Sequence, residues 1–311
     1  MKTRTFAFLL TAAIMFTFFT ACGGSTSASP TPTPAPITLD RDGNPIALPS
    51  SIDTILVIGP SNAEILVALG FGDRIIGADD FSCMVEGVPS GIPEFSMWGL
   101  NGELMIDLEP DVIFMTGMMS TSGDDALGMV AAAGICIVYI PNSSSIQGIR
   151  EDIAFIAAVM GTQEKGRQIV ADMDREIEAI RAIGSTVADK KTVYFELDAF
   201  APMLYSIGSG SFIHEMIEII GAVNVFDGQQ DAWLAIAEEA VLDANPDVIL
   251  TNNSFLDDPI SIITSRPGWN VLSAVSNDEV YFIDADSSSR PTHNIVTALR
   301  QMAQAVYPGL Y

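Results

Sequence analysis

The chain has 311 residues, 49% of them hydrophobic, and a formal charge of −25. That length and apolar content suit two ordinary globular domains rather than a disordered chain. So acidic a balance excludes nucleic acid and anionic lipid as natural partners.

Residues 1–21 form a processing segment, with Lys2 and Arg4 as a basic start, an apolar run from Phe6 to Phe19, and small Ala21 before Cys22. Cys22 stands where a lipoprotein signal needs the cysteine that is acylated after cleavage, although Phe19 sits where Leu is usual; a plain secretory signal is the alternative. The run is too short for a lasting membrane span. Residues 22–36 alternate Pro30, Pro32, Pro34 and Pro36 with Thr and Ala after a Gly/Ser stretch, a composition that builds no core and reads as a tether. Besides Cys22 only Cys83 and Cys136 remain, too few for a disulfide framework, and they are expected to be buried thiols.

Folded structure is expected from Ile37, where Asp42-Gly43 lies between two short alternating runs in the manner of a β-hairpin through Leu48. A strand from Thr54 to Ile58, a turn at Gly59-Pro60 and a helix from Ser61 follow, with Ser61 and Glu64 in capping-box spacing. Asp111 to Thr116 and Cys136 to Ile140 read as buried strands around a helix near Asp124 to Ala133, so residues 37–143 form a first α/β lobe.

Residues 144–188 are helical without a strand. One helix runs to Met160, a break falls at Gly161-Thr162, and a second helix carries Ile169, Met173, Ile177 and Ile180 on one stripe. At roughly 22 residues it spans about 33 Å, long for a crossover within one lobe. Strands resume at Thr192 to Leu197, Asp247 to Thr251 and Val280 to Ile283. The fold class is therefore α/β, with two Rossmann-like lobes, the second being residues 189–311, joined by a single long helix.

An internal echo sharpens this reading. Glu103-x3-Asp107-x2-Pro110-Asp111-Val112-Ile113 returns as Glu239-x3-Asp243-x2-Pro246-Asp247-Val248-Ile249. Both segments end a helix and open a strand; the alternative is coincidence, since Pro-Asp is a common helix stop.

With these elements in place, the chain from Ile37 to Tyr311 resembles the iron-chelate and cobalamin class of periplasmic-type solute-binding proteins of ABC importers, with the binding domain at about residues 52–311. The resemblance rests on Gly59-Pro60-Ser61-Asn62-Ala63-Glu64-Ile65, on Asn101-x-Glu103 leading to Leu108-Glu109-Pro110-Asp111, and on Gly208-Ser209-Gly210-Ser211-Phe212-Ile213 leading to Gly221-Ala222-Val223-Asn224-Val225-Phe226. Arg266-Pro267-Gly268-Trp269 and Val280-Tyr281-Phe282-Ile283-Asp284 extend it. The resemblance implies the class III binding-protein fold and a ligand held between the lobes. It also implies a monomer docking on a permease dimer driven by a cytoplasmic ATPase, with Glu103 and Glu239 as the glutamates that meet permease arginines.

A chelate or corrin is broad and partly apolar, so its site needs flat aromatic faces and a few polar groups. Phe81, Met97, Trp98, Tyr205 and Trp233 lie at corners expected to face one cleft, or else pack in the core. By resemblance to cobalamin-binding members, Phe81, Met97, Tyr205, Trp233, Asp286 and Arg290 fall on pocket positions. Arg290 is a scarce cation at what reads as the start of the last helix, opened by Pro291, where it would oppose the helix dipole; Asp286 is its ligand-site neighbour or its ion-pair partner. The scarcity of cations favours a corrinoid, or a neutral or cationic iron chelate, over a triscatecholate. Haem, through Met97 or Tyr205 with His293, is the alternative ligand, and a sensor lipoprotein the alternative role.

No resident cofactor, metal site or catalytic residue is expected. Neither His214 nor His293, both at helical positions, sits in a ligand cluster, and the chain has no Gly-x-Ser-x-Gly elbow or His-Glu-x-x-His. Gly208-Ser209-Gly210-Ser211 reads as a turn and helix cap. The expected location is the outer face of the cytoplasmic membrane, held through the lipid anchor alone.

Overall fold

The computed structural model describes residues 36–117, 124–200 and 202–311; the signal, Cys22 and the tether up to residue 35 lie outside the described residues. Five parallel strands make the first sheet: β1 (Ile55–Ile58), β2 (Ile75–Asp79), β3 (Glu94–Phe95), β4 (Val112–Thr116) and β5 (Cys136–Ile140), in spatial order β3-β2-β1-β4-β5. Helices α1 (Pro60–Leu69), α2 (Gly102–Asp107) and α3 (Asp124–Ala132) form its crossovers. After α4 (Ile146–Val159) and α5 (Gln163–Gly184) comes a second parallel sheet of β6 (Thr192–Glu196), β9 (Val223–Asn224), β11 (Val248–Thr251) and β12 (Val280–Phe282), ordered β12-β11-β6-β9. An antiparallel sheet of β7 (Asp198–Phe200), β8 (Met203–Ile207) and β10 (Trp233–Ala237) adjoins it, in order β10-β8-β7. Helices α6 (Phe212–Ile219), α7 (Glu238–Ala244), α8 (Pro259–Thr264), α9 (Ser273–Ser276), α10 (Ala285–Ser289) and α11 (Ile295–Val306) complete the second lobe. Among the described residues no helix is long and apolar enough to cross a membrane.

Strands of parallel sheets are covered on both faces, which is why β1 is an uninterrupted apolar run and β11 is apolar up to Thr251. Alternate residues of β1 part company: Ile55 and Val57 enter one core, Leu56 and Ile58 another. The first of these also takes in Met173, Ile177 and Ile180 of α5 and Val193 and Phe195 of β6. The two lobes and the helix between them therefore share one apolar core. The 22-residue α5 has the expected stripe, with Ile169 partly buried beside it.

The sequence echo is structural. In the first lobe Asp111 Oδ2 accepts from Thr54 N at 2.9 Å and Thr54 Oγ1 at 3.0 Å. In the second, Asp247 Oδ2 accepts from Thr192 N and Oγ1, both at 2.8 Å. Two residues earlier Glu109 and Asn245 both turn left-handed, at φ 47° and 42°. Backbone donors at Asp53 and Thr54 hold the Asp111 carboxyl below its ordinary pKa.

Several local readings are corrected. The Ile37 to Leu48 hairpin is reduced to one antiparallel bridge, Leu39 to Pro45, with Asp40 closing the turn by accepting from the backbone N–H of Asp42 and Asn44. It lies along the edge of β5, where Tyr139 N donates to Asp40 at 3.3 Å. Helix α1 begins at Pro60, not Ser61, since proline suits a first helical position, and Ser61 makes no cap. The last helix begins at Ile295 rather than at Pro291, so Arg290 follows α10 and opposes no dipole, and His293 lies in a turn. Cys83 and Cys136 are free but only partly buried, with burial raising both thiol pKa values.

Glu64, freed from any capping role, crosses to the other lobe. Only 8% exposed, it accepts from Arg290 Nη1 at 2.8 Å, Thr292 Oγ1 at 2.7 Å and Asn294 Nδ2 at 2.8 Å. Three donors from one loop satisfy a carboxylate that burial would otherwise penalise. Replacing Glu64 with Ala leaves Arg290 short of a partner, and urea unfolding of that variant is expected to show a loss on the order of 3 kcal/mol. A second test addresses the spine. A Cβ on Gly184 would stand 2.2 Å from the Ile219 carbonyl oxygen, so α5 meets the second lobe only as glycine. Gly184→Ala is expected to cost about 1–3 kcal/mol, read as a Tm drop of several degrees.

Candidate ligand cleft

In an open parallel sheet the loops at the carboxyl ends of the strands are where ligands bind, because helix starts and turn backbone converge there. Here the two sheets turn those ends toward one another. From the first lobe come Gly59 to Ser61 after β1, Phe81 and Met84 after β2, Met97 after β3, Thr116 ending β4, and Asn142 after β5. Facing them are Leu197 and Asp198 after β6, Asn252 to Phe255 after β11, and Asp286, Ser289 and Arg290 beyond β12. They enclose a cavity of about 560 Å³, in the range of small-molecule sites.

The walls are set by carboxylates below the surface. Asp79, fully buried at the end of β2, accepts from Gly59 N at 2.6 Å, Phe81 N at 3.0 Å and Ser82 N at 3.1 Å, and also from Ser82 Oγ. This binds the first two strand ends together and fixes the backbone that carries Phe81. Gly59 itself has φ 113°, and a Cβ there would stand 3.0 Å from that of Thr116. Opposite, Asn253 donates to Asp198 Oδ1 at 2.8 Å and accepts from Phe255 N at 3.1 Å. Phe255 is left 84% exposed at the opening. Behind β6, Glu196 holds Arg266 in a two-pronged pair at 2.8 and 2.9 Å, and Arg266 lies 4.1 Å over the Trp269 ring. That network is sealed in the second lobe and anchors the strand end from which Leu197 and Asp198 project.

Of the sequence candidates, Phe81, Met97, Asp286 and Arg290 line the cavity. Tyr205 and Trp233 do not. They stand with Phe200 on the open face of the antiparallel sheet, Trp233 in strand β10 rather than in a loop. Tyr205 pairs in register with Asp198, so this shelf continues the cleft wall. Phe200 and Tyr205 meet edge to face with centroids 5.9 Å apart. Trp98 is 71% exposed on the first lobe beside the Ser96–Gly99 bridge. Met84, Asn142, Asn252, Asn253, Ser254 and Phe255 were not singled out from sequence; their signal is position, each lying just past a buried strand.

Arg290 does not project a free charge. Its Nη1 meets Glu64 at 2.8 Å and its Nη2 meets Asp286 at 2.7 Å, and its side chain is 12% exposed. Partial burial raises the Asp286 carboxyl above its ordinary pKa even with Arg290 beside it. Past Arg290 and Met84 a lateral groove of about 680 Å³ opens, with His293 in its wall, and burial lowers the pKa of that imidazole. Met97 thus lines the cavity, His293 the adjoining lateral groove, and Tyr205 the shelf beside the cleft wall.

Glu103 and Glu239 occupy matching places, the second residue of α2 and of α7. Both are exposed, and neither makes an ion pair among the described residues. Each follows an exposed tryptophan, Trp98 or Trp233, by a short stretch of chain. No group of three or more His, Cys, Asp or Glu among the described residues could hold a metal ion.

The fold and the cleft agree with what the chain is similar to. It is 26% identical over 313 residues to the uncharacterized ABC transporter substrate-binding lipoprotein YvrC of Bacillus subtilis, covering 98% of this chain and 97% of that one. It is 25% identical over 281 residues to a cobalamin-binding protein of Halobacterium salinarum, covering 86% and 73%. A solved structure from Staphylococcus epidermidis, described as a possible iron-binding (periplasmic solute-binding) protein, superposes with a TM-score of 0.74 at 25% identity, over 83% of this chain and all of that one. The periplasmic binding protein family model matches residues 55–287, from the first strand of one lobe into helix α10 of the other, and the chain belongs to that family.

Proposed function

We propose that the protein is the substrate-binding component of an ABC importer and that it carries a corrinoid. The observation that carries the ligand class is the chemistry of the cleft. Phe81, Met84, Met97 and Phe255 offer apolar and aromatic surface. The polar lining is mainly neutral, with amides and hydroxyls from Ser61, Asn142, Asn252, Asn253, Ser254 and Ser289. A corrin ring with uncharged amide arms matches both halves of that description. The aromatic shelf of Phe200, Tyr205 and Trp233 supports a ligand broader than the cavity alone. A relative named as cobalamin-binding supports the same reading.

The protein acts as a carrier without chemistry of its own: it holds the ligand, docks, and releases it to a permease. Glu103 and Glu239 suit the docking step, as exposed carboxylates at equivalent places on two lobes offering salt-sensitive contacts to permease arginines. Acylated Cys22 would hold a monomer at the outer face of the cytoplasmic membrane, with the Pro-rich segment as spacer, a reading supported by the lipoprotein designation of the Bacillus relative.

Tryptophan fluorescence of residues 37–311 tests the ligand class, because Trp98 and Trp233 are exposed while Trp269 is buried as a constant background. Saturable quenching by cyanocobalamin at micromolar concentration or below is expected, and Trp233→Ala should weaken it about tenfold. A flat response to cyanocobalamin would overturn the corrinoid reading. The docking role is tested separately: Glu103→Ala with Glu239→Ala should leave the titration unchanged and abolish uptake in cells, and uptake at the unmodified rate would remove both residues from the docking surface.

A further inference from the structure

Arg290 is the one cation among the described residues lining the cleft or the lateral groove. A lone arginine facing a ligand site ordinarily recruits an anion. Here it is held from two sides before any ligand arrives. Glu64 takes Nη1 and Asp286 takes Nη2. Glu64 cannot swing away cheaply, since Thr292 and Asn294 donate to its other oxygen at 2.7 and 2.8 Å. Asp198 adds a further negative charge to the lining, fixed in place by Asn253. Counted together, Arg290 against Glu64, Asp286 and Asp198, the formally charged groups at the cleft sum to a net negative charge.

We propose that Glu64 and Asp286 are specificity determinants, cancelling the charge of Arg290 so that anionic chelates are turned away while neutral ones are admitted. This deepens the corrinoid reading and rests on it for the identity of the admitted ligand. The division of labour differs between the two residues. Glu64 is buried and also joins the lobes, whereas Asp286 is largely exposed and bonds no other cation. Asp286→Asn therefore removes one negative charge with little demand on folding, and Glu64→Gln removes the other while keeping the size of the side chain.

The experiment titrates wild type, Asp286→Asn and Glu64→Gln with cyanocobalamin, which is neutral, and with a trianionic ferric tris-catecholate, at low salt. Glu164→Gln on the exposed face of α5 serves as the control for loss of one surface charge far from the cleft. The ratio of tris-catecholate affinity to cobalamin affinity is expected to rise about tenfold in Asp286→Asn and at least as far in Glu64→Gln. It should stay level in Glu164→Gln, and the gain should shrink as salt is raised. Circular dichroism of each variant accompanies the titration, and Asp286→Asn decides the matter alone if Glu64→Gln unfolds. An unchanged ratio in folded Asp286→Asn would overturn the charge-cancelling role, as would an equal rise in Glu164→Gln. Wild type that ignores cobalamin while Asp286→Asn gains the tris-catecholate would overturn the corrinoid reading and leave the role of these carboxylates standing.

Discussion

Each lobe depends on a carboxylate that pins the amino ends of its two central strands. Asp111 and Asp247 both close on a threonine at the amino end of the neighbouring strand, Thr54 just before β1 and Thr192 opening β6, through the same backbone and hydroxyl contacts. A parallel pair has no hairpin to set its register. The pin supplies that setting, pairing Ile55 with Val112 and Val193 with Val248. With the amino ends level, the carboxyl ends are level too, and the loops that leave them are presented as one surface. Two such surfaces, turned toward each other across α4 and α5, are what makes a cleft.

The shared core then decides how the cleft behaves. Buried residues of β1, α5 and β6 belong to one apolar cluster, so the lobes cannot rotate far without exposing it. The Glu64 contacts add a polar tie beside that cluster, between α1 and the loop before α11. An apolar tie and a polar one leave little freedom for a wide swing. A binding protein built this way presents nearly the same outer face with or without its ligand.

Much of this was legible in the sequence, and the failures share a cause. Buried parallel strands are continuous apolar runs, and α5 carries a stripe with the helical period, so both were found close to their limits. The echo of Pro110-Asp111 and Pro246-Asp247 was visible because a repeated turn geometry needs repeated residues. What misled were residues whose local signal is genuine but whose partner is distant in the chain. Ser61 and Glu64 have capping-box spacing, yet Glu64 bonds 226 residues away. Trp233 precedes a helix, yet strand pairing with Ile207 places it on a sheet face rather than at a corner. Arg290 invited a dipole argument that lapses once α10 is seen to end before it.

The cleft residues missed from sequence follow from the same limit. Asn252, Asn253 and Phe255 have no periodicity and no motif; they matter only because β11 ends at Thr251 and its end faces the other lobe. Asparagine there serves two purposes at once, with Asn253 bonding both Asp198 and the backbone at Phe255 so that the two neighbouring loops of that wall keep their shape. Amides that organise a loop also present a neutral polar rim. On an acidic protein that repels anions at long range, that rim adds no cation of its own.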